Sequence, residues 1–234
     1  MKYAIVDFRT SEEEKRNLSK FGLNILICPP SALLYDAICG HPDILLHIVN
    51  KQTIMVHKDM NIDFVDKLKS LGLKIIFSKT SLSRNYPNDI ILNSININNL
   101  FVHNLKFTDS NLINYIANKK TINVRQGYTK CSTAIVTESA IITSDKSIAS
   151  ALSKENVDVL LLPPGDIELP GLDYGFIGGS SGLIDTHTMA FFGDLNYYIY
   201  GKKVKEFIEK HNVEAVFLRE DKLIDRGSIF VIEV

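Results

Sequence analysis

The chain alternates short apolar runs with amphipathic stretches, a pattern that predicts strands joined by helices. The first apolar run, residues 2–8, predicts a strand. Ser11 and Glu14 then form a capping-box pattern that opens an amphipathic helix. A second strand is predicted at residues 23–27, where a Pro-Pro pair follows and ends it.

The same order of elements recurs four times after this segment: strand, strand, helix, strand. The predicted first strands of these units begin near Asp43, Asp89, Cys131 and Gly175, so the steps between them are 46, 42 and 44 residues by subtraction. A nearly fixed period of this size indicates a repeat architecture, in which each unit buries its apolar face against its neighbours.

The two ends of the chain supply a fifth unit. Residues 228–234 predict one additional strand, and pairing it with the first strand closes a ring that leaves no sheet edge exposed. We therefore predict an α/β fold, a five-fold pseudo-symmetric propeller that forms a single domain. An open doubly wound α/β sheet is the competing fold. The predicted units are residues 1–40 plus 226–234, 41–85, 86–127, 128–172 and 173–225.

Charge and composition narrow the class of protein. Lys and Arg number 26 and Asp and Glu number 27, so the formal net charge is −1. A nearly neutral chain without a basic block attracts neither nucleic acid nor an anionic membrane strongly. No apolar run reaches the ~18–20 residues of a membrane span, and Asp7 and Arg9 come too early for a signal peptide. We expect a soluble cytoplasmic protein, with its oligomeric state left open.

The three cysteines, Cys28, Cys39 and Cys131, are an odd and sparse set that suits a reducing compartment rather than a disulfide framework. Cys28 lies in a Pro-rich connection and Cys39 in a predicted short helix, and we interpret both as structural. Cys131 alone lies at a plausible reactive position. The competing interpretation is that Cys131 is a small buried apolar residue.

Two short motifs occupy the same point of their repeats, two units apart. The first is Gly-His-Pro-Asp at residues 40–43, and the second is Gln-Gly-Tyr-Thr-Lys-Cys-Ser-Thr at residues 126–133. A thiolate can attack an electrophilic carbon and form a covalent intermediate, and a histidine can protonate the leaving amine and activate water. A carboxylate can clamp a planar cation, and Lys130 would help to hold the sulfur as a thiolate.

The repeats and the two motifs resemble the guanidino-group-modifying enzymes, also called the pentein superfamily, and in particular a bacterial branch of it that carries no assigned activity. These enzymes place a catalytic His and a substrate-binding Asp at the start of one unit and a nucleophilic Cys two units later. The resemblance implies that Cys131 and His41 are catalytic and that Asp43 binds substrate, with no metal or cofactor. The superfamily also includes ribosome anti-association factors, which have the fold and no catalysis.

The sequence departs from these enzymes at two acidic positions. Residues 174–182, Tyr-Gly-Phe-Ile-Gly-Gly-Ser-Ser-Gly, contain no acid, and residues 225–228, Asp-Arg-Gly-Ser, match poorly. We select Asp194, at the end of a predicted second strand, as the substitute substrate-binding acid. The glycines lead into a strand, which favours close approach to the axis or a ligand over a phosphate loop. Asp185 and His187 alone are a weak case for a metal site.

We predict a cysteine-dependent hydrolase or transferase that acts on a small amidine-, guanidine- or amide-like substrate through a covalent thiouronium- or thioester-like intermediate. Its predicted site comprises Cys131, His41, Asp43, Asp194 and Lys130. The alternative is a catalytically inactive protein of the same fold that binds a small molecule or a protein partner. An open nucleotide-binding α/β protein is a third hypothesis.

Overall fold

The computed structural model describes residues 1–234, and its strands form five three-stranded sheets. The elements from the N-terminus are β1 Lys2–Asp7, α1 Glu12–Ser19, β2 Asn24–Cys28, α2 Pro42–Leu45, β3 Leu46–Asn50, β4 Thr53–Val56, α3 Ile62–Ser70, β5 Lys74–Phe77, β6 Ile95–Ile97, β7 Leu100–His103, α4 Ser110–Tyr115 and β8 Lys120–Asn123. The elements that follow are β9 Thr133–Thr137, β10 Ala140–Thr143, α5 Lys146–Ser153, β11 Asp158–Leu161, β12 Ser181–Leu183, β13 Thr188–Phe191, α6 Gly201–Lys210, β14 Glu214–Phe217 and β15 Phe230–Glu233.

Each sheet has the same internal order, which confirms the predicted strand, strand, helix, strand unit. The first strand pairs antiparallel with the second, and the second pairs in parallel with the third, as in β3-β4-β5. The sheet formed by the two chain ends has the order β15-β1-β2, with Ile5 of β1 opposite Phe230 of β15. The predicted pairing of the terminal strands is thus confirmed.

The sheets remain separate, so the expectation that closure removes all sheet edges is wrong. Each sheet keeps two edge strands, and no continuous sheet runs through the molecule. Neighbouring sheets instead meet through their first strands. Asn96 of β6 donates to the carbonyl oxygens of Ile48 and Val49 in β3, both at 3.0 Å, and Ile229 N, next to β15, donates to Ser181 O of β12 at 3.2 Å.

The helices begin where side chains cap them. The Ser11 hydroxyl accepts from Glu14 N while the Glu14 carboxylate accepts from Ser11 N, so the predicted capping box is confirmed. Asn61 caps α3 and Asp145 caps α5 by the same kind of side-chain acceptance. Such caps satisfy backbone N–H groups that have no partner within the helix. No helix has the length and apolar character needed to cross a membrane.

Four of the sheets are each formed by one continuous stretch of the chain, and in these the first strand begins later than predicted. Turns or a single helical turn occupy the predicted starting points, and the strands themselves begin at Leu46, Ile95, Thr133 and Ser181. The displaced segments are apolar because they are buried, as Ile44 and Ile90 are. A buried turn and a buried strand both produce an apolar run, so the hydrophobic pattern does not distinguish them. The predicted short helix around Cys39 is likewise a series of turns.

Candidate active site

Five turns, one before the first strand of each sheet, meet at one buried point in the molecule. They contain residues 225–228 before β15, 41–43 before β3, 93 before β6, 130–131 before β9 and 178–179 before β12. Hydrogen bonds join each turn to the next and finally return to the first, and we call this arrangement the turn circuit. The turns meet because the first strands of neighbouring sheets lie side by side.

Asn93 is the hub of the first half of the turn circuit. Asp43 N donates to Gly227 O at 3.1 Å, and Asn93 Nδ2 donates to Asp43 O at 2.9 Å. Asn93 Oδ1 accepts from Lys130 N at 2.8 Å and from Cys131 N at 3.2 Å. One side-chain amide therefore fixes the backbone of both predicted motifs.

Gly179 closes the second half of the circuit. Its N–H donates to Cys131 O at 2.9 Å, and its carbonyl accepts from Arg226 N at 3.1 Å and from Ser228 N at 2.8 Å. A Cβ atom at residue 179 would lie 2.0 Å from Asp225 Oδ1, so only glycine allows the segments to approach this closely. The glycine-rich segment thus permits close backbone approach, as predicted, and leads into a strand rather than a helix.

Cys131 is held as a buried thiol. Its Sγ donates to Asp43 Oδ1 at 3.0 Å and accepts from Asn93 Nδ2 at 3.0 Å. Burial raises the pKa of the Cys131 thiol well above its ordinary value, and the negative charges of Asp43 and Asp225 raise it further. At neutral pH the resting group is therefore protonated.

The side chain of Lys130 contacts two other turns of the circuit. Its Nζ donates to Ser228 Oγ at 2.9 Å and to Gly178 O at 3.5 Å. That Lys130 helps to hold the neighbouring sulfur as a thiolate stays a prediction, and burial raises the pKa of the Cys131 thiol in the opposite direction. Burial lowers the pKa of Lys130 itself. Its contacts instead link two turns of the circuit.

Asp43 lies behind the thiol rather than in open space. Its Oδ1 accepts from Cys131 Sγ, and its Oδ2 accepts from Ser228 Oγ at 2.6 Å. Asp43 is 1% exposed and does not line the adjoining cavity. The carboxylate is thus placed to exchange a proton with the thiol, whereas the sequence analysis placed it against the substrate.

His41 differs from its neighbours because both of its ring nitrogens lack a hydrogen-bond partner, although the residue is only 1% exposed. Its Nδ1 lies 3.7 Å from Asp225 Oδ1. Gly227 allows this placement, since it has a φ of +68° and a Cβ atom there would lie 2.3 Å from His41 Cβ. A buried ring with two free nitrogens is unusual in a folded protein and is available to a ligand.

Asp225 is the acid that faces His41. Its two carboxylate oxygens accept from Phe176 N at 2.8 Å and Gly227 N at 2.9 Å. Burial raises the pKa of Asp225, while the proximity of His41 acts in the opposite direction. The segment judged a poor match in sequence therefore supplies a carboxylate to the site.

A cavity of about 230 Å³ opens onto Cys131, His41 and Asp225. It is smaller than the ~300–1,000 Å³ of sites for drug-sized ligands, so it suits a small molecule. Apolar and aromatic side chains form most of its wall, and the partly exposed Leu172 and Asp173 complete the lining. The wall residues are Tyr35, Ile38, Tyr128, Leu169, Tyr174 and Phe176.

Asp194 lies elsewhere. Its carboxylate accepts from Asn196 N at 2.7 Å and from Asn196 Nδ2 at 3.2 Å, at the start of a 3-10 helix, Leu195–Tyr197. The structure therefore places Asp194 at a helix cap and not among the residues that line the cavity. Asp225, and not Asp194, is brought beside His41.

Three side chains of the site carry atoms that ligate metals. One such atom from each of His41, Asp43 and Cys131 lies within 4.8 Å of the other two. A set of nitrogen, oxygen and sulfur ligands suits zinc, which would have to replace the proton shared by the thiol and Asp43. We assign no metal to the site.

Asn93 was not predicted from the sequence, and Asp225 and Ser228 lie in the segment judged a poor match. A signal for them was present in the repeats: Asp225 lies five residues before the first strand of its sheet, as His41 does, and Asn93 and Ser228 lie two residues before theirs, as Cys131 does. The signal was weak because a lone Asn or Ser in an apolar run carries no motif. Only the spatial meeting of the turns shows what these residues contact.

The chain has the fold of the guanidino-group-modifying, or pentein, enzymes of known structure. More particularly, it belongs to the family of unknown function DUF6873, whose model matches residues 5–230. No curated protein matches the sequence.

Three solved structures illustrate the likeness in fold. Dimethylarginine dimethylaminohydrolase from Pseudomonas aeruginosa, a cysteine-to-serine variant complexed with citrulline, has a TM-score of 0.56 at 7% identity, covering 92% of this chain and 91% of that chain. Inosamine-phosphate amidinotransferase from Streptomyces griseus has a TM-score of 0.57 at 12% identity, covering 90% and 76%. An amidinotransferase of the saxitoxin pathway from Microseira wollei has 0.57 at 8% identity, covering 92% and 87%. At these identities the likeness shows the fold alone.

Proposed function

We propose that this protein is a cysteine-dependent hydrolase or transferase that acts on a small substrate bearing an amidinium or guanidinium group. The observation that carries the proposal is the convergence of a thiol, an unpartnered histidine and a carboxylate, Cys131, His41 and Asp225, on one small cavity. The names of the proteins with a similar fold, an aminohydrolase of dimethylarginine and two amidinotransferases, support the same chemistry.

The proposal includes the closed arrangement of the five units. The turn circuit supports it, because hydrogen bonds run from each unit to the next and return to the first. In this arrangement the units are residues 1–40 plus 226–234, 41–85, 86–127, 128–172 and 173–225, arranged as a propeller with the site at its axis.

In the resting protein the thiol is protonated, and the substrate itself changes this. A planar cation held by Asp225 places a positive charge beside Cys131, which lowers the pKa of the thiol towards neutrality. The thiol proton passes to its hydrogen-bond partner, Asp43. The sulfur then attacks the central carbon of the amidinium group, and a C–S bond forms.

His41 carries out the remaining proton transfers. In this proposal protonated His41 gives a proton to the leaving nitrogen as the C–N bond breaks, which leaves a thiouronium-type intermediate on Cys131. Neutral His41 next takes one proton from water, whose oxygen attacks the same carbon. The C–S bond then breaks, the second proton of that water passes to the departing amine or to solvent, and the sulfur regains its proton from Asp43. In a transferase, an amine takes the place of this water.

A second candidate is a non-catalytic protein that binds a small cation in the same cavity. The raised pKa of Cys131 favours it, since a protonated thiol with all its polar neighbours paired is not a nucleophile. The two candidates differ in whether a bound cation activates the sulfur.

An alkylating probe that carries an amidinium group separates these candidates. We expect 2-chloroacetamidine to alkylate Cys131 at least about tenfold faster than neutral 2-chloroacetamide does, because only the cation lowers the pKa of the thiol. Mass spectrometry of digested peptides measures the labelling. The part-exposed Cys39 is the internal reference, and we expect it to react with 2-chloroacetamidine and with 2-chloroacetamide at similar rates.

The variant Cys131→Ser is the matched control and should lose only the label on residue 131. Equal rates of the two reagents at Cys131, or no labelling there while the cation still binds, would contradict the catalytic proposal and support the binding protein.

A further inference from the structure

The residues that line the cavity indicate what kind of organic body the substrate carries besides its amidinium group. The charged side chains that line the cavity, apart from His41, are two acids, Asp173 and Asp225. No Lys or Arg lines it. A ligand that enters therefore meets negative charge and apolar surface.

The nearby cations are already paired elsewhere. Arg226 Nε lies 3.2 Å from Glu14 Oε2, and Arg9 Nη2 lies 2.5 Å from Asp7 Oδ2. Lys130 donates to Ser228 and lies over the ring of Phe230, with Nζ 5.5 Å from its centroid. None of these groups is free to receive a carboxylate from a ligand.

The wall that remains is aromatic. The Tyr128 ring centroid lies 6.3 Å from that of Phe176, and the Phe176 centroid lies 6.1 Å from that of Tyr174. The Tyr128 hydroxyl donates to the buried carboxylate of Asp89 and lies 3.3 Å from the Tyr35 hydroxyl. These bonds hold the hydroxyls of Tyr128 and Tyr35, so the wall presents ring surface that suits an apolar or cationic body.

We propose that this site selects amidinium or guanidinium compounds whose organic body is apolar and carries no carboxylate, and excludes the corresponding amino and carboxylic acids. The selection rests on the proposed function, since it assumes that Asp225 receives the cation. The unpartnered ring nitrogens of His41, a buried residue that lines the cavity, are the independent sign that a ligand binds there. A carboxylate on the ligand would lie against the aromatic wall or near Asp173, where no cation balances it.

A matched pair of ligands tests the selection: n-butylguanidine and 4-guanidinobutanoate, which differ chiefly in the terminal carboxylate. Calorimetry on the full chain should show that butylguanidine binds at least about tenfold more tightly. The variant Asp173→Lys adds a cation at an exposed position, so it should raise the affinity for 4-guanidinobutanoate and narrow the difference between the two ligands.

Equal or tighter binding of the carboxylate compound to the wild-type protein overturns the selection, and so does an Asp173→Lys variant that leaves the difference between the ligands unchanged. Alkylation by 2-chloroacetamidine then distinguishes a failure of the selection from a failure of the proposed function. If Cys131 is alkylated while 4-guanidinobutanoate is the preferred ligand, only the selection fails. If neither guanidine binds and Cys131 is not alkylated, the proposed function fails with it.

Discussion

The two sides of the site differ in how their polar atoms are satisfied. On one side, Asp43, Asn93 and Ser228 hydrogen-bond to one another or to the neighbouring turns, and Cys131 is bonded to two of them. On the other side, both ring nitrogens of His41 have no partner and the wall is mostly apolar.

The difference supports a division in which one side stabilises the fold and the other receives the proposed ligand. A buried polar group with its partners in place contributes about 0.5–1.5 kcal/mol for each hydrogen bond, whereas an unsatisfied buried group costs about 1–3 kcal/mol. The turn circuit therefore stabilises the meeting of the five units. The two unpaired ring nitrogens of His41 carry this free-energy cost, which a ligand that hydrogen-bonds to them would remove.

The largest expected effect concerns histidines outside the cavity. Burial lowers the pKa of His47 to about 3 and the pKa values of His57 and His103 to about 4. Between pH 7 and pH 5 the unfolded chain binds protons at these residues and the folded protein does not. The free energy of unfolding therefore decreases as the pH is lowered. We expect a loss of about 3–5 kcal/mol in the free energy of unfolding, measured by urea denaturation.

The variant His47→Gln should lose less stability over the same pH interval and so give a flatter profile. The raised pKa values of Asp89 and Asp225 act in the opposite sense. An unfolding free energy that is equal at pH 7 and pH 5 would show that these histidines are not buried as neutral rings.

The next effect tests whether the turn circuit serves stability. Asn93→Ala removes the amide that joins three turns and leaves the buried Cys131 N–H unpaired, so we expect a loss of about 2–3 kcal/mol in the free energy of unfolding. Asn104→Ala is the control, because Asn104 makes a single exposed bond to Arg125 O. Equal losses in the two variants would show that the circuit is not a stabilising unit.

The smallest effect tests the cavity side and compares two acids. Asp225→Asn removes the charge next to His41, and we expect the affinity for n-butylguanidine to fall about tenfold, which is about 1.4 kcal/mol. Asp194→Asn should leave this affinity unchanged, since Asp194 caps a 3-10 helix. A loss at residue 194 that matches the loss at residue 225 would restore the role that the sequence analysis gave to Asp194.

Local sequence determined the elements and their order. The capping box at Ser11 and the pairing of β15 with β1 followed from patterns visible in the chain, and both are confirmed. The repeat position of Cys131 also identified the residue now found beside His41 and Asp43. The cap was predictable because it depends on residues within a few positions of one another. The β15–β1 pairing and the position of Cys131 were predictable because the repeated units leave one strand unpaired at each chain end and give Cys131 a fixed place in its unit.

The tertiary structure alone decided which groups meet. Ser228 bonds to Asp43 across 185 positions of the chain and Cys131 bonds to Asp43 across 88, distances over which no local pattern carries information. The tertiary structure also decided where the first strand of each sheet begins, because burial makes a central turn as apolar as a strand. The sequence by itself therefore determined five similar units. The meeting of their turns around Asn93 and Gly179 decided that Asp225 rather than Asp194 lies beside His41, since only packing brings residues of distant units into contact.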